Sequence, residues 1–279
     1  MFKFFVYNKN NLMIHTILFL IILFSSSLIT YFLSFYDVEN DVFNKTFRII
    51  GIITEIYFAY IVIGYLFIFI RFLIRSKTDK KLKNQLKEEK TFKLIISNSV
   101  GAGYAFALGI ISHNMLYFNK SIFFLFLEII YISTALIKIY LVSSVTEFKK
   151  REKKIDYYIL AYSVSVALSL LACSIFVYLK LGTFTKNASL IVLFAIYTLY
   201  ALISAIVSLV KAFKDDKEIR MRFFLVKIVS VLFSLYTLIV SIVNMIDKKE
   251  ELFQRVTLIL GVIISAIMLV EGIIIFISD

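Results

Sequence analysis

The stretch "LIISNSVGAGYAFALGIISH", Leu94 to His113, decides the fold that this sequence predicts. It contains no charged side chain and is as long as a helix that crosses the hydrocarbon core, about 20 residues. Gly101 and Gly103 resemble a phosphate-binding G-x-G turn, but such a turn needs free amides at a helix N-terminus. The backbone amides of a membrane span must bond within the span. We therefore predict a helix-packing surface here rather than a ligand cradle.

Small residues recur four positions apart in this span and in a later one, which places them in one stripe along each helix. In lipid, helices associate where small residues let their backbones approach closely. These stripes predict that the odd-numbered spans form the tightly packed inner set and that the bulkier even-numbered spans lie at the periphery. The predicted packing residues are Ser97, Gly101, Ala105 and Gly109 in one span, and Ala161, Ser165 and Ser169 in the other.

The composition indicates a polytopic membrane protein, because 61% of the 279 residues are hydrophobic and only 18% are charged. The formal net charge is +12, a value that would suit a nucleic-acid-binding protein. The basic residues, however, fall in short clusters between apolar runs, so we interpret them as topology signals and expect no nucleic-acid partner.

Eight apolar runs are long enough to cross a membrane, and most lysines and arginines outside them fall in the N-terminus and the loops after even-numbered runs. Both termini of this all-α, multi-pass protein are therefore expected on the cytoplasmic side of the cell membrane. The first run resembles a signal peptide, but it continues through "LITYFLSFY", so an uncleaved span is expected. The predicted spans are 13–36, 49–70, 94–113, 121–146, 157–179, 188–210, 223–246 and 256–277.

The spans form a single transmembrane domain, 1–279, and resemble four repeats of one helical hairpin. Tyr131 and Tyr197 lie in similar surroundings 66 residues apart, and serine-valine pairs recur at Ser99, Ser165 and Ser230. This spacing predicts a parallel repeat of hairpins; the alternative is chance similarity between apolar segments. The approximate hairpins are 13–75, 94–150, 157–212 and 223–279.

Ionisable residues within predicted spans are costly to bury and are therefore functional candidates. Two readings stay open. In one, the acidic and tyrosine residues form a cation or proton path, and Lys138 with Glu271 forms a counter-ion pair. In the other, the glutamates reach headgroup water, Lys138 extends to the surface and Glu271 pairs statically. Lys227 is interpreted as an ordinary surface anchor. The path candidates are Glu55, Glu128, Lys138, Glu271, Tyr57 and Tyr131.

Catalytic and metal-binding motifs do not occur in the sequence. His15 and His113 lack partners at H-x-x-x-H or H-E-x-x-H spacing, and no nucleophile has a local base signature. We therefore expect no enzyme activity, metal or cofactor.

The basic cytoplasmic loop, 71–93, is the longest connection between spans. Its segment 76–93, "SKTDKKLKNQLKEEKTFK", would suit anionic lipid or a protein partner; the alternative is a solvated loop. Besides the lipid bilayer, a larger membrane complex is the other partner considered.

Two functions are consistent with these features. The first is a small secondary transporter or channel for an ion or small solute, with a polar path between odd and even helices. The second is a non-transporting membrane anchor, sensor or assembly subunit of a larger complex. Uninterrupted spans favour the second, because transporters often have broken helices around a midplane site; acidic residues that recur in two hairpins favour the first.

Overall fold

A computed structural model describes six ranges of the chain, 89–119, 121–144, 148–179, 188–215, 218–246 and 251–277. It also describes seven single helical positions, which are Ile22, Ile49, Ile53, Ile56, Tyr57, Tyr60 and Gly64. The six ranges are helical almost throughout and contain no strand. The helices are α1 (Glu89–Asn119), α2 (Ile122–Ser144), α3 (Phe148–Tyr178), α4 (Ala188–Asp215), α5 (Glu218–Ile246) and α6 (Glu251–Ile277).

All six helices are long and apolar enough to cross a membrane, as an integral membrane protein requires. Their membrane-spanning parts are Ile95–Leu116, Ile122–Val142, Ile155–Tyr178, Ala188–Val210, Met221–Ile246 and Glu251–Ile274. These parts match the third to eighth predicted spans. The first two predicted spans, 13–36 and 49–70, lie outside the described ranges apart from the single positions above, and so does 76–88 of the basic loop.

Several helices begin well before the apolar segment that the sequence marks. α3 begins at Phe148, before the charged run "KKREKK", although the predicted span begins at 157. A helix can project from the hydrocarbon because its backbone groups stay bonded within it while its charged side chains reach water. Hydropathy therefore locates the membrane-spanning part of each helix better than it locates the helix ends.

Chain contacts divide the protein into two compact units, 1–93 and 94–279, and the second contains the membrane-spanning parts of all six helices. Within that second unit, α3 packs extensively against α6 and α4 against α5. Further contacts join α2 to α3 and α5 to α6, and α5 also reaches α2 and α3. α5 is therefore the helix around which most of this bundle is arranged.

The prediction that even-numbered spans are peripheral is wrong for α2, which is the fourth predicted span. About 72% of its most apolar 18-residue segment is buried, whereas the corresponding share is 67% for α5 and 33% for α4 and for α6. Phe123, Phe124 and Tyr131 of α2 are completely buried. The centre of this bundle thus contains bulky aromatic side chains as well as small ones. Burial of large rings stabilises an interior, and so does close approach of two backbones.

Close backbone approach between α3 and α6 uses glycines that the sequence stripes did not include. A Cβ atom added at Gly261 would overlap the side chain of Ser174, and one added at Gly272 would lie 3.0 Å from Ser163 Cβ. The predicted stripe on α3 lies on another face, where Ala161 and Ser165 are exposed and Ser169 is half-buried. The described helices do not cover that stripe, and its packing role stays a prediction.

Candidate functional site

Four helices bring polar side chains together in one narrow cleft inside the membrane-spanning part of the second unit. α1, α2, α4 and α5 each contribute. The space between them amounts to about 210 Å³ with its open side included, but the cavity itself has a volume of only about 10 Å³, roughly room for one water molecule. We call this feature the two-lysine cleft, because Lys138 and Lys227 both line it. Its lining residues are Ser97, Asn98, Gly101, Lys138, Tyr200, Ala201, Ser204, Lys227 and Ser230.

Lys227 of α5 is held in the two-lysine cleft by hydroxyl and carbonyl oxygens. It is 4% exposed, and its Nζ donates to Ser208 Oγ at 2.7 Å, Ser97 Oγ at 3.2 Å and Ser204 O at 3.5 Å. The hydroxyls of Ser97 and Ser204 lie 2.9 Å apart. These contacts connect α1, α4 and α5 through one ammonium group. The sequence interpretation of Lys227 as a surface anchor is therefore wrong.

Lys138 of α2 also lines the cleft and is 3% exposed. Its Nζ lies 5.8 Å from the centre of the Tyr197 ring, within the range of a cation–π contact. Within the described part of the chain, no carboxylate or other hydrogen-bond acceptor lies within bonding distance of this ammonium. Lys138 is thus a nearly inaccessible cation whose only described partner is a neutral ring.

Gly101 and Tyr200 shape the half-exposed side of the cleft. The Tyr200 hydroxyl donates to the Ser97 carbonyl at 2.6 Å, and its ring lies 5.3 Å from the Tyr104 ring. A Cβ atom at Gly101 would lie 3.4 Å from both Lys138 Nζ and the Tyr200 ring. The missing side chain at Gly101 is therefore what leaves room beside the ammonium group.

Among the described residues that line the two-lysine cleft, the only charges are positive. Two ammonium groups line it, none of these residues is a carboxylate, and hydroxyl groups of serine and tyrosine supply additional donors. Like charges in a poorly solvated site repel strongly, and isolated buried charges are costly. The cleft can therefore offset that cost by accepting negative charge.

The acidic path candidate in α2, Glu128, has a histidine partner. Its side chain is 2% exposed, and Oε2 lies 3.3 Å from Nδ1 of His113 at the far end of α1. Tyr131, one turn further along α2, is buried among Phe194, Tyr197 and Phe233, at ring distances of 6.3, 5.7 and 4.9 Å. The structure therefore places both residues inside a packed interior.

The other path candidates lie apart from these residues or outside the described ranges. Glu271 does not approach Lys138 within ion-pair distance, so the predicted counter-ion pair is absent from the part of α2 and α6 that the structure describes. Both Glu271 carboxylate oxygens are buried without a described hydrogen-bond partner. Tyr57 stacks on Tyr60 at 6.2 Å, and Glu55 lies outside the described residues.

The small residues of α1 divide between two roles. Ser97 and Gly101 line the two-lysine cleft. Further along, Ala105 is completely buried, and a Cβ atom at Gly109 would lie 3.0 Å from Ile132 of α2. One stripe of small residues thus combines a cavity at one end with close packing at the other.

Two buried pairs of ionisable residues were not predicted from the sequence. One is His113 with Glu128. The other joins Arg222 of α5 to Asp156 of α3: Nε bonds to Oδ1, and Nη2 bonds to Oδ2 at 2.8 Å. Asp156 and Arg222 are 66 residues apart, the spacing of the predicted repeat, and that coincidence is the signal that could have revealed them.

Metal-binding clusters of His, Cys, Asp and Glu do not occur among the described residues, and the sole cysteine, Cys173, is a buried thiol. Comparison with protein families, with curated proteins and with solved structures finds no match for this chain.

Proposed function

We propose that this integral membrane protein is a small transporter or channel and that the two-lysine cleft is its solute site. One observation carries the proposal: Lys138 and Lys227, both nearly inaccessible, line one cleft between four membrane-spanning helices. Ionisable groups at membrane depth are costly and mark solute or ion pathways more often than they serve packing. The cleft lies between the third, fourth, sixth and seventh predicted spans, so odd and even helices both contribute to it.

One element of the helix packing supports the hairpin repeat on which this proposal draws. α2 packs on α3 as α4 packs on α5, although the extensive packing of α3 on α6 has no counterpart of similar extent between α1 and α4 in the described ranges. Side chains 66 residues apart touch in two places, Tyr131 with Tyr197 and Asp156 with Arg222. Internal repeats of this kind are frequent in transporters, whose solute sites lie where the repeats meet.

A cation path through Glu55, Glu128, Tyr57 and Tyr131 is a second transport site that has less support than the two-lysine cleft. Glu128 is enclosed with His113, and Tyr131 is enclosed by aromatic rings, so both contacts favour a static role. The two-lysine cleft has open space and the glutamate does not line it. We therefore assign the solute to the lysines rather than to the glutamates.

Flux measurements in liposomes test the transport proposal. Protein reconstituted into vesicles should change the internal concentration of a solute faster than empty vesicles do, and Lys138→Met and Lys227→Met should each reduce that flux strongly. Lys153→Met is the matched control, because Lys153 is an exposed lysine on α3 before its membrane-spanning part. Equal flux through wild type and both cleft variants would reject the site.

A non-transporting subunit of a membrane complex is the second candidate. Two observations favour it: α1 to α6 run without interruption, and α4 and α6 leave large apolar faces uncovered. Those faces would contact lipid or a partner subunit. Gentle extraction followed by mass spectrometry should then recover a stoichiometric partner, whereas a homogeneous monomer or homo-oligomer would count against this function.

A further inference from the structure

We propose that the two-lysine cleft binds a phosphate-type oxyanion, either a free anion or the phosphate headgroup of a lipid. This inference rests on the cleft proposed above as the solute site and names the class of solute. It concerns charge and donor chemistry, so binding can be measured whether or not the protein transports anything.

The first argument is the balance of charge. Lys138 and Lys227 are 3% and 4% exposed, and the lining residues that the structure describes include no carboxylate. Lysine is a strongly hydrated point charge, so withdrawing two of them from water is costly, and an anion beside them reduces that cost. An anion placed between the two ammonium groups would be attracted by both and would relieve their repulsion.

The second argument is the number of donors that converge. Lys227 Nζ is surrounded by Ser97, Ser204 and Ser208, and Lys138 Nζ has no described acceptor. Ammonium groups and hydroxyls are donors suited to phosphate oxygens. Lys227 already donates to three oxygens, so an oxyanion would replace at least one of them. A tetrahedral oxyanion can accept hydrogen bonds in several directions, from both ammonium groups and from the serine hydroxyls between them. A chloride ion would satisfy the charge but fewer of these directions.

The third argument is where the cleft opens. Its half-exposed members are Ser97, Tyr200 and Ser204, which places the opening between α1 and α4. Ser97 is two residues from Ile95, where the membrane-spanning part of α1 begins. The opening therefore lies near the end of the hydrocarbon region, at the depth where lipid phosphates and dissolved anions both occur. Under the predicted orientation that end is cytoplasmic.

Tyr200 limits access to the cleft. Its hydroxyl bonds to the Ser97 carbonyl, and its ring covers the space beside Gly101. A group as large as phosphate requires this half-exposed ring to swing outward, which breaks one hydrogen bond. Tyr200→Ala should therefore speed anion association by widening the opening, without removing either ammonium group.

Binding is first measured on the unmodified full chain in detergent. Inorganic phosphate should raise the melting temperature along a saturable curve, because a ligand that binds only the folded state stabilises it. Sodium chloride at equal ionic strength should have a smaller effect. A parallel arm incorporates the protein into nanodiscs of phosphatidylcholine alone, or with phosphatidic acid, and counts retained lipids by native mass spectrometry.

The two arms identify the source of the oxyanion. Selective retention of phosphatidic acid that inorganic phosphate displaces indicates a lipid headgroup. A phosphate-dependent melting temperature without lipid retention indicates a free anion. Equal responses to phosphate and chloride, with no preferential retention of phosphatidic acid, would overturn the proposal.

Variants then assign the binding to the cleft. Lys138→Met and Lys227→Met should each weaken phosphate binding by about tenfold to a hundredfold, the usual effect of losing a charged hydrogen-bond donor. Lys138→Arg should retain binding, and Lys153→Met should bind as the wild type does. Unaltered affinity in both methionine variants would also overturn the proposal.

A pair of glycine substitutions protects the test against misfolding of the lysine variants. Gly101→Leu fills the space between Lys138 and Tyr200, whereas Gly103→Leu points into open space. Only Gly101→Leu should abolish phosphate binding, and wild-type binding in that variant would contradict the assignment. If the protein binds phosphate but shows no flux, the transport proposal is rejected and the oxyanion site is kept. If it conducts a cation but binds no oxyanion, the oxyanion site is rejected and the transport proposal is kept.

Discussion

Asp156 and Arg222 join α3 to α5 through a buried ion pair in which both carboxylate oxygens accept hydrogen bonds from one guanidinium. The Asp156 and Arg222 side chains are 3% and 9% exposed. Two parallel bonds between a planar guanidinium and a carboxylate fix distance and orientation together. This pair therefore sets the register between the two helices where both enter the membrane-spanning region.

Breaking the Asp156–Arg222 pair from one side should be costly. Asp156→Leu removes the acceptor of the Arg222 guanidinium, and Arg222→Met removes the donor to the Asp156 carboxylate. Each leaves a buried charge without this partner, with an expected loss of about 3–5 kcal/mol. Combining Asp156→Leu with Arg222→Met should recover much of that loss. Unfolding of the purified protein in detergent measures the cycle; additive losses would show that the two side chains do not act together.

Glycine substitutions at two positions should have opposite signs. Gly261→Ala places a Cβ atom against Ser174 and should destabilise the α3–α6 interface by about 1–3 kcal/mol through overpacking. Gly103→Ala meets nothing within 4 Å and should stabilise α1 by up to about 1 kcal/mol through helix propensity. Melting temperatures in detergent compare the two, and a stable Gly261→Ala protein would place the α3–α6 contact elsewhere.

The His113–Glu128 pair should stabilise the contact between α1 and α2. Glu128→Gln removes the charge but keeps the shape, and should lower stability by about 1–3 kcal/mol, as a charged hydrogen bond is lost in the interior. Combining it with His113→Gln in a double-mutant cycle should show coupling between the two positions. If Glu128→Gln instead abolishes flux with stability unchanged, the cation path becomes the better assignment.

Cysteine labelling tests the predicted orientation of α3. The single native cysteine, Cys173, is 1% exposed and should not react with an impermeant maleimide. Lys153→Cys and Leu179→Cys introduce thiols at exposed positions near opposite ends of α3. With cytoplasmic termini, only Leu179→Cys should be labelled in intact cells, and Lys153→Cys only after permeabilisation. The reverse pattern would invert the topology.

The sequence predicted the positions of the membrane-spanning segments better than it predicted which helices pack against each other. Hydropathy over about 20 residues reports the transfer of a helix into hydrocarbon, a local property of each segment, and six of the eight predicted spans correspond to described helices. Which helices are central is not local. α2 carries large aromatic residues that suggested a peripheral position, and it is the most buried of the six because those rings fill space between its neighbours.

Prediction of the candidate site was partial for the same reason. Lys138 could be selected from its depth in one span, since the cost of burying a charge depends on its own position. Lys227 lies closer to the end of its span, so it suggested an anchor until α1 and α4 were seen to enclose it with Ser97 and Ser208. Its surroundings combine Ser208, 19 residues away, with Ser97, 130 residues away, and no spacing along the chain records the second contact.

The sequence alone determined that this chain is an apolar helical membrane protein, because the hydrophobic effect and the backbone's need for internal hydrogen bonds act on each segment separately. Only the tertiary structure decided which polar groups meet. It joined Glu128 to His113 and Asp156 to Arg222, separated Lys138 from Glu271, and placed two lysines in one cleft whose described lining contains no carboxylate. Those outcomes depend on helix rotation and neighbour choice, since a charge is stabilised or left uncompensated only by what packs against it.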